Sequence, residues 1–468
     1  MRIAFIQKEA YEKIGVHQLV GCLKAEGFTV DLFVEQLEPD FYDKITAFQP
    51  DFILYSLFIG EESYMLEYFS NLKILLPKAK TLIGGPFTLI FPEIIKNKQI
   101  DYMIRGEAEL SLPLFFKTCR ENGDLEKVPG LGYIKNGDIF MNNEIKMTAN
   151  LASLPDPDRD LYYKYEKLKN YKTKIFIASR GCPFNCTYCY NAEINKCFTD
   201  TFWRQRPPEA VYREIEHVRD NYGIEWVHFQ DGTFNSSFVW LKSFLEGYKK
   251  RNLPPFLCNC RLETINEEMA TLMKDAGCER ITFGIQSGNF NIREKIGRRM
   301  TNEKIEEVFN LCHKHGIRVG ADIIFGFPSE TVEQAMETIR LLRKIKPDSC
   351  HSNVLILYPN LSITREAVTN SFLKHQPTLE EIEKLNPNKS LLNQDNIKLL
   401  INLDKLSYFM INFPRAEKFL KLLMYLPPNK LFLIMKNLHM LKRSLKYDST
   451  GVLSPIKIIK NYLKNTLS

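Results

Sequence analysis

The sequence predicts an α/β protein in four stretches: a doubly wound parallel sheet over residues 1–145, a linker over 146–172, a partial (β/α)6 barrel over 173–372 and a helical, basic region over 373–468. Three observations carry this. Short apolar runs alternate with helix-length segments, the pattern of parallel strands joined by crossover helices. The alternation breaks once, at a proline-rich stretch, and then resumes for six more strands. Beyond about residue 375 the periodicity is helical, with no strand pattern. A chain of 468 residues suffices for two or three domains. With 44% apolar and 25% charged residues it is neither a disordered tail nor a small disulfide scaffold.

The first unit opens with apolar runs at 2–7, 29–34, 51–58, 80–86 and 102–107, each followed by a helix-length segment such as 17–26 or 61–75. Ligands of such open sheets bind beyond the carboxyl ends of the strands. Those ends hold residues 8–16, 56–60, Gly84-Gly85-Pro86 and Arg105-Gly106-Glu107, and paired glycines let the backbone approach a bulky ligand. Gly132-Tyr133-Ile134 and Ile139-Phe140-Met141 flank Asn136-Gly137, a pair suited to a tight hairpin. Leu154-Pro155-Asp156-Pro157-Asp158-Arg159 is a stiff connector. Strands then return at 174–179, 226–230, 256–261, 280–286, 318–325 and 349–357, with helices at 209–222, 267–276, 303–315 and 330–345. Six such units make an open barrel, with chemistry at its carboxyl-terminal mouth.

The opening run Met1–Lys8 is too short for a signal peptide. No uncharged apolar stretch reaches the roughly 18 residues of a spanning helix, so a cytoplasmic protein is expected. In a reducing compartment, clustered cysteines read first as metal ligands or reactive thiols. Such a cluster follows the first barrel strand: Arg180-Gly181-Cys182-Pro183-Phe184-Asn185-Cys186-Thr187-Tyr188-Cys189-Tyr190. Three thiolates at CxxxCxxC spacing can hold three corners of a [4Fe–4S] cluster and leave one iron open. A zinc site with Cys197 as fourth ligand is the competing reading, but no second CxxC pair follows. The other eight cysteines, among them Cys258, Cys260, Cys278 and Cys312, are expected in core packing.

The segment resembles the signature of the radical S-adenosylmethionine (radical SAM) family, including the aromatic Tyr188 before the last cysteine. Further pieces resemble that family in order: His228 to Phe234, Cys260-Arg261-Leu262-Glu263, Phe283 to Gly288, Arg298-Arg299-Met300-Thr301, and Gly326 to Thr331. Gly232 stands where the family usually has a second Asp, Gln286 where it often has Glu, and Tyr358-Pro359-Asn360-Leu361 departs from Pro-Gly-Thr. The resemblance implies that Cys182, Cys186 and Cys189 hold the cluster. It also implies that Tyr188, Gln230, Asp231, Arg261, Gln286, Ser287 and Arg299 line the S-adenosylmethionine site. Asp231 could instead cap the following helix, and Arg261 and Arg299 could be surface ion pairs.

The N-terminal unit is similar to the cobalamin-binding, flavodoxin-like domain fused to one large radical SAM subgroup. The likeness rests on Gly15-Val16-His17, Ser56, Gly84-Gly85-Pro86 and Ile104 to Glu109, and on the linker from Leu154 to Tyr162. It implies cobalamin contacts at Gly15, Val16, Ser56, Gly84, Gly85, Gly106 and Glu107. The Asp-x-His-x-x-Gly motif that ligates cobalt is missing: Gly15 precedes His17 by two and Val20 follows it by three. His17 is therefore expected to be a helix-start histidine, and cobalt to lack a protein histidine.

By this resemblance the chain is a cobalamin-dependent enzyme that forms a 5′-deoxyadenosyl radical and C-methylates an unactivated carbon. The alternatives are a cyclisation or rearrangement without methyl transfer, with an N-terminal domain that has lost cobalamin and only gates substrate entry, and a non-catalytic iron–sulfur module. The expected partners are a reductant such as flavodoxin or ferredoxin and an organic substrate; no general acid or base is assigned. Residues 415–468 sum to +9, so the rest of the +7 chain sums to −2 and nucleic acid is not expected. Over 429–447, Leu431, Ile434, Met435, Leu438, Leu441 and Leu445 recur at helical spacing between lysines. Such a helix either caps the barrel with a solvated lysine face or lies peripherally on an anionic membrane and takes up a lipid-like substrate.

Overall fold

A computed structural model describes residues 1–198 and 203–437. The chain forms two compact units, Met1–Asn170 with Ile194–Gly223, and Tyr171–Glu193 with the residues from Ile224 onward.

In the first unit β1 (Arg2–Gln7), β2 (Thr29–Val34), β3 (Phe52–Ser56), β4 (Lys80–Gly84) and β5 (Tyr102–Ile104) are parallel, in the order β2-β1-β3-β4-β5. This is the doubly wound arrangement, with its switch point between β1 and β3. Helices cover both faces. Phe52, in register with Ile3, packs on Phe116 of helix Ser111–Arg120 with ring centroids at 5.0 Å. Phe33, in register with Ile6 and so on the other face, packs on Phe48 of helix Phe41–Phe48 at 5.5 Å. The Asn136-Gly137 hairpin forms as β6 (Leu131–Lys135) and β7 (Asp138–Met141), with φ of 53° and 90° at the turn. It does more than connect: β6 pairs antiparallel with β5, Tyr102 opposite Tyr133, so the sheet has seven strands and is mixed.

Residues 146–170 and helix Pro208–Tyr222 pack within this unit. A buried ionic network joins them. Arg159, fully buried, meets Glu12 Oε2 at 2.9 Å and Glu214 Oε1 at 2.7 Å. Glu214 also meets Arg206, and Tyr163 donates to Glu12 at 3.0 Å. Despite burial, Arg206 and Arg159 hold the Glu214 carboxyl down to about 2.

The main sheet of the second unit, among the described residues, has six strands: β8 (Thr173–Phe176), β9 (Trp226–Phe229), β10 (Phe256–Cys260), β11 (Cys278–Gln286), β12 (Arg318–Phe325) and β13 (Ser349–Val354). They are parallel and adjacent in sequence order, an open half-barrel as expected. Helices Phe238–Lys250, Glu267–Asp275, Asn302–Lys314 and Val332–Ile345 alternate with the strands. The capping box of Thr331 and Gln334 starts the last of these. Helix Ile397–Asn412 covers the β12–β13 edge, where Ser352 Oγ lies 3.3 Å from Ser407 Oγ. Cys258, Cys260, Cys278 and Cys312 are all buried, as core packing requires. Of the basic helix read over 429–447, the part beyond residue 437 lies outside the described residues. Among the described residues no helix is long and apolar enough to cross a membrane.

Candidate functional site

The cysteine loop leaves the half-barrel where β8 ends. Asp231, at the end of β9, accepts from Ala178 N at 3.1 Å and from Ser179 Oγ at 2.5 Å, so its carboxylate ties the start of the loop to the next strand. Asp231 therefore does not cap the following helix; Ser237 does, accepting from Trp240 N. Gly232 explains its departure from an acidic residue. A Cβ there would lie 3.1 Å from Gly181 O and 3.3 Å from Cys182 Cβ, so a side chain crowds the first cysteine. At the other end, Ile363 N donates to Thr187 O at 3.1 Å, and Tyr188 and Tyr190 pack on an apolar cluster of Ile292, Ile296, Phe327, Leu361 and Ile363.

Cys182 and Cys186 are buried and Cys189 is half-buried. Burial pushes the Cys189 thiol above its ordinary value, and Cys186 and Cys182 add to the rise. Arg261 donates to Cys186 Sγ at 3.4 Å, and its guanidinium lies 4.0 Å over the Phe184 ring. Asn235 accepts from Arg261 N at 2.9 Å, and Glu263 accepts from Arg261 Nε at 3.1 Å. Arg261 is thus no surface ion pair. Tyr188 accepts from Arg298 Nε at 3.0 Å, and Arg298 also donates to Gly284 O. Arg299, the neighbour singled out in the sequence, is exposed instead. Which of two adjacent arginines turns inward depends on the backbone path after helix Phe290–Lys295, which motif spacing does not encode.

Gln286 ends β11 at φ 68°, a left-handed conformation that costs a non-glycine residue about 1–3 kcal/mol. Ser287 is buried. Its hydroxyl accepts from Asn289 N at 3.2 Å and its carbonyl from the buried Arg293 at 2.7 Å, so it shapes the turn. Gln230 is exposed at the mouth, with its N–H bonded to Phe176 O at 2.9 Å.

The sequence missed a polar row inside the half-barrel. Phe283 packs on Phe309 of a covering helix, with centroids at 5.7 Å, so its face points outward and Gly284 faces the interior. Gly284 is in register with Asp322, and Asp322 with His351. The side chains of Asp322 and His351 are therefore cross-strand neighbours on the inner face. No local motif marks such residues; only the register brings them together.

In the first unit a cavity of about 220 Å³ opens at the switch point. Gly15, Ser56, Gly84, Gly85, Gly106 and Glu107 line it, as the sequence reading expected of a ligand cleft; Val16 is buried in the helix core instead. Gly85 has φ 96°, and a Cβ would sit 2.8 Å from Leu57 O, so the turn needs glycine. A Cβ at Gly15 would meet no atom within 4 Å and would project into open space. The Glu107 carboxylate is engaged by Arg204 Nη1 and Thr148 N, each at 2.9 Å. Lys13, which the sequence did not suggest, also lines the cleft; its Nζ meets Glu61 at 2.7 Å and Ser56 O at 2.8 Å. Ile194 and Phe198 complete the wall. His17 stands apart, with Nδ1 2.8 Å from Asp158 O and Nε2 3.1 Å from Glu12 Oε2. Both nitrogens are engaged in the core.

Among the described residues no three His, Cys, Asp or Glu side chains converge on a single-ion centre. Cys197, the alternative fourth ligand, is exposed. Three thiols backed by a guanidinium suit a thiolate-held cluster instead. The glycine-walled, largely apolar cleft suits a large planar cofactor. The molecule is thus an α/β protein with a three-cysteine loop on a half-barrel and a glycine-walled cleft on a doubly wound sheet.

Residues 176–342 match the model of the radical SAM superfamily, and residues 8–115 match that of the B12 binding domain. The chain thus combines a stretch matching the radical SAM model with one matching the B12-binding model. Its cofactors are a [4Fe–4S] cluster, S-adenosylmethionine and cobalamin. It is 28% identical over 315 residues to an uncharacterized methyltransferase of Pyrococcus horikoshii, covering 65% of this chain and 67% of that one. It is 26% identical over 382 residues to the anaerobic magnesium-protoporphyrin IX monomethyl ester cyclase of Rubrivivax gelatinosus, covering 75% of this chain and 65% of the cyclase. The chain thus spans about two thirds of the length of these curated relatives. The solved structure of the cobalamin-dependent S-adenosylmethionine radical enzyme OxsB has the same fold, with a TM-score of 0.72 at 16% identity, over 99% of this chain and 75% of that one.

Proposed function

We propose that the protein C-methylates an unactivated carbon of an organic substrate, drawing electrons from a flavodoxin or ferredoxin. What supports this most is the cysteine loop on its half-barrel in a chain that also carries a glycine-walled cleft in a B12-binding domain. The P. horikoshii methyltransferase points the same way. When bound, the cluster and S-adenosylmethionine supply hydrogen abstraction from carbon, and the corrinoid supplies a methyl group. The chain's own residues do the rest. Cys182, Cys186 and Cys189 hold iron, which must displace their protons. Arg261 offsets part of the negative charge that three thiolates bring. Tyr188, Gln230 and Gln286 sit at the mouth, where S-adenosylmethionine binds in this reading. Asp231, Ser287 and Arg298 hold the loop and strand ends around that position. Asp322 and His351 face the lumen and orient a polar group of the substrate. Gly15, Ser56, Gly84, Gly85 and Gly106 let the corrinoid enter the cleft, with no histidine to ligate cobalt.

Anaerobic turnover with S-adenosylmethionine carrying a deuterated methyl group tests the reading. Transfer of the label to a product supports it. 5′-Deoxyadenosine with an unlabelled, rearranged product favours a cyclase, as the R. gelatinosus relative suggests. Cluster without any cleavage of S-adenosylmethionine leaves only an iron–sulfur module. Replacing the three cysteines by alanine is expected to abolish cluster absorbance and cleavage together.

A further inference from the structure

We infer that the face formed by residues 413–426 is a docking surface for an anionic phospholipid bilayer. In helix Glu417–Leu423 and the turn after it, Leu420 and Met424 are buried against the unit. Phe419, Leu422, Tyr425 and Leu426 point the other way, Leu422 being 69% and Tyr425 76% exposed; Phe413, just upstream, is 54% exposed. An element apolar on both faces is partnered on both. Five large apolar side chains exposed within fourteen residues exceed the scattered single residues of an ordinary surface.

Charge decides what covers the face. Arg415, Lys418 and Lys421 punctuate it, and Lys430 follows. The single acid of the stretch, Glu417, already meets Arg343 at 2.6 Å and Lys421 at 2.7 Å. The chain's own residues 438–468 carry six Lys or Arg against Asp448. They have the same sign as the face and do not complement it. A second copy brings the same positive rim. An anionic bilayer complements the basic rim and accepts the apolar side chains, the combination by which interfacial helices bind. The inference does not depend on the reaction proposed above.

Flotation of the full-length, cluster-loaded protein tests it, using phosphatidylcholine vesicles with and without one third phosphatidylglycerol. Binding is expected only to the anionic vesicles, weakening as salt rises. The double variant Phe419→Asp, Leu422→Asp is expected to lose about a hundredfold in binding while keeping its cluster absorbance. Arg415→Glu with Lys418→Glu is expected to lose less, and with it most of the salt dependence. The inference is overturned if the wild type stays unbound, if it binds neutral vesicles equally, or if Phe419→Asp, Leu422→Asp floats as before. It is also overturned if only deletion of 438–468 abolishes binding. A wild-type dimer that this double variant dissolves, without vesicle binding, would assign the face to a second copy instead.

Discussion

Arg159 shows how much one buried charge can organise. Its guanidinium is answered by Glu12 and Glu214, and through them by His17, Tyr163 and Arg206. In the sequence it looked like the last residue of a stiff linker; the two acids that pair with it lie at residues 12 and 214 and carry no motif. Arg159→Met leaves two carboxylates poorly paired, so it is expected to destabilise the first unit by about 3–5 kcal/mol, read from urea unfolding. Glu330 makes a different case. Its Oε2 accepts from Gly326 N at 2.6 Å and Phe327 N at 3.2 Å, while Oε1 is buried without a partner among the described residues. Burial pushes this carboxyl up from 4.5 to about 7. The native state therefore holds the proton more tightly than the unfolded chain. The stability it contributes is complete below the unfolded value and is lost as pH rises to about 7, a loss of about 3 kcal/mol. Urea unfolding across that window should show this fall in the wild type and a flatter profile in Glu330→Gln; equal slopes would refute it.

At the scale of elements, glycines divide into those the backbone needs and those that only line the cleft. Gly85→Ala forces a Cβ onto Leu57 backbone at a positive φ, and is expected to cost about 1–3 kcal/mol and corrinoid binding with it. At Gly15 a Cβ meets no atom within 4 Å and leucine improves helix propensity by about 0.5–1 kcal/mol, so in Gly15→Leu the fold should hold while corrinoid retention, read by visible absorbance, falls. Retained corrinoid in the folded leucine variant would remove the cleft from consideration. Strands and turns at this scale were largely legible. β1 and β2 fall on the apolar runs at 2–7 and 29–34, and Asn136-Gly137 makes the hairpin, because local periodicity and turn chemistry set them. The hairpin's pairing onto β5 was not legible, since partner choice rests on contacts such as Tyr102 with Tyr133.

For the whole molecule, the chain divides into two compact units, one lining the glycine-walled cleft and the other carrying the cysteine loop. Excess corrinoid at about a hundred times its Kd should stabilise the first unit by about 2.7 kcal/mol. Amide exchange should accordingly slow across β1 to β5, more than across β9 to β12. Uniform slowing over the chain would contradict this.

The sequence by itself determined the fold class, the cysteine triad and the glycine-rich strand ends, because thiol spacing and hydrophobic period are local properties of the chain. Only the tertiary structure decided that Arg298 turns inward while Arg299 stays in solvent, that Asp231 clamps the loop, that His17 is locked in a core network, and that Asp322 stands beside His351. Each of these depends on which distant strand or helix lies alongside, and that is fixed by packing and register rather than by any neighbour in sequence.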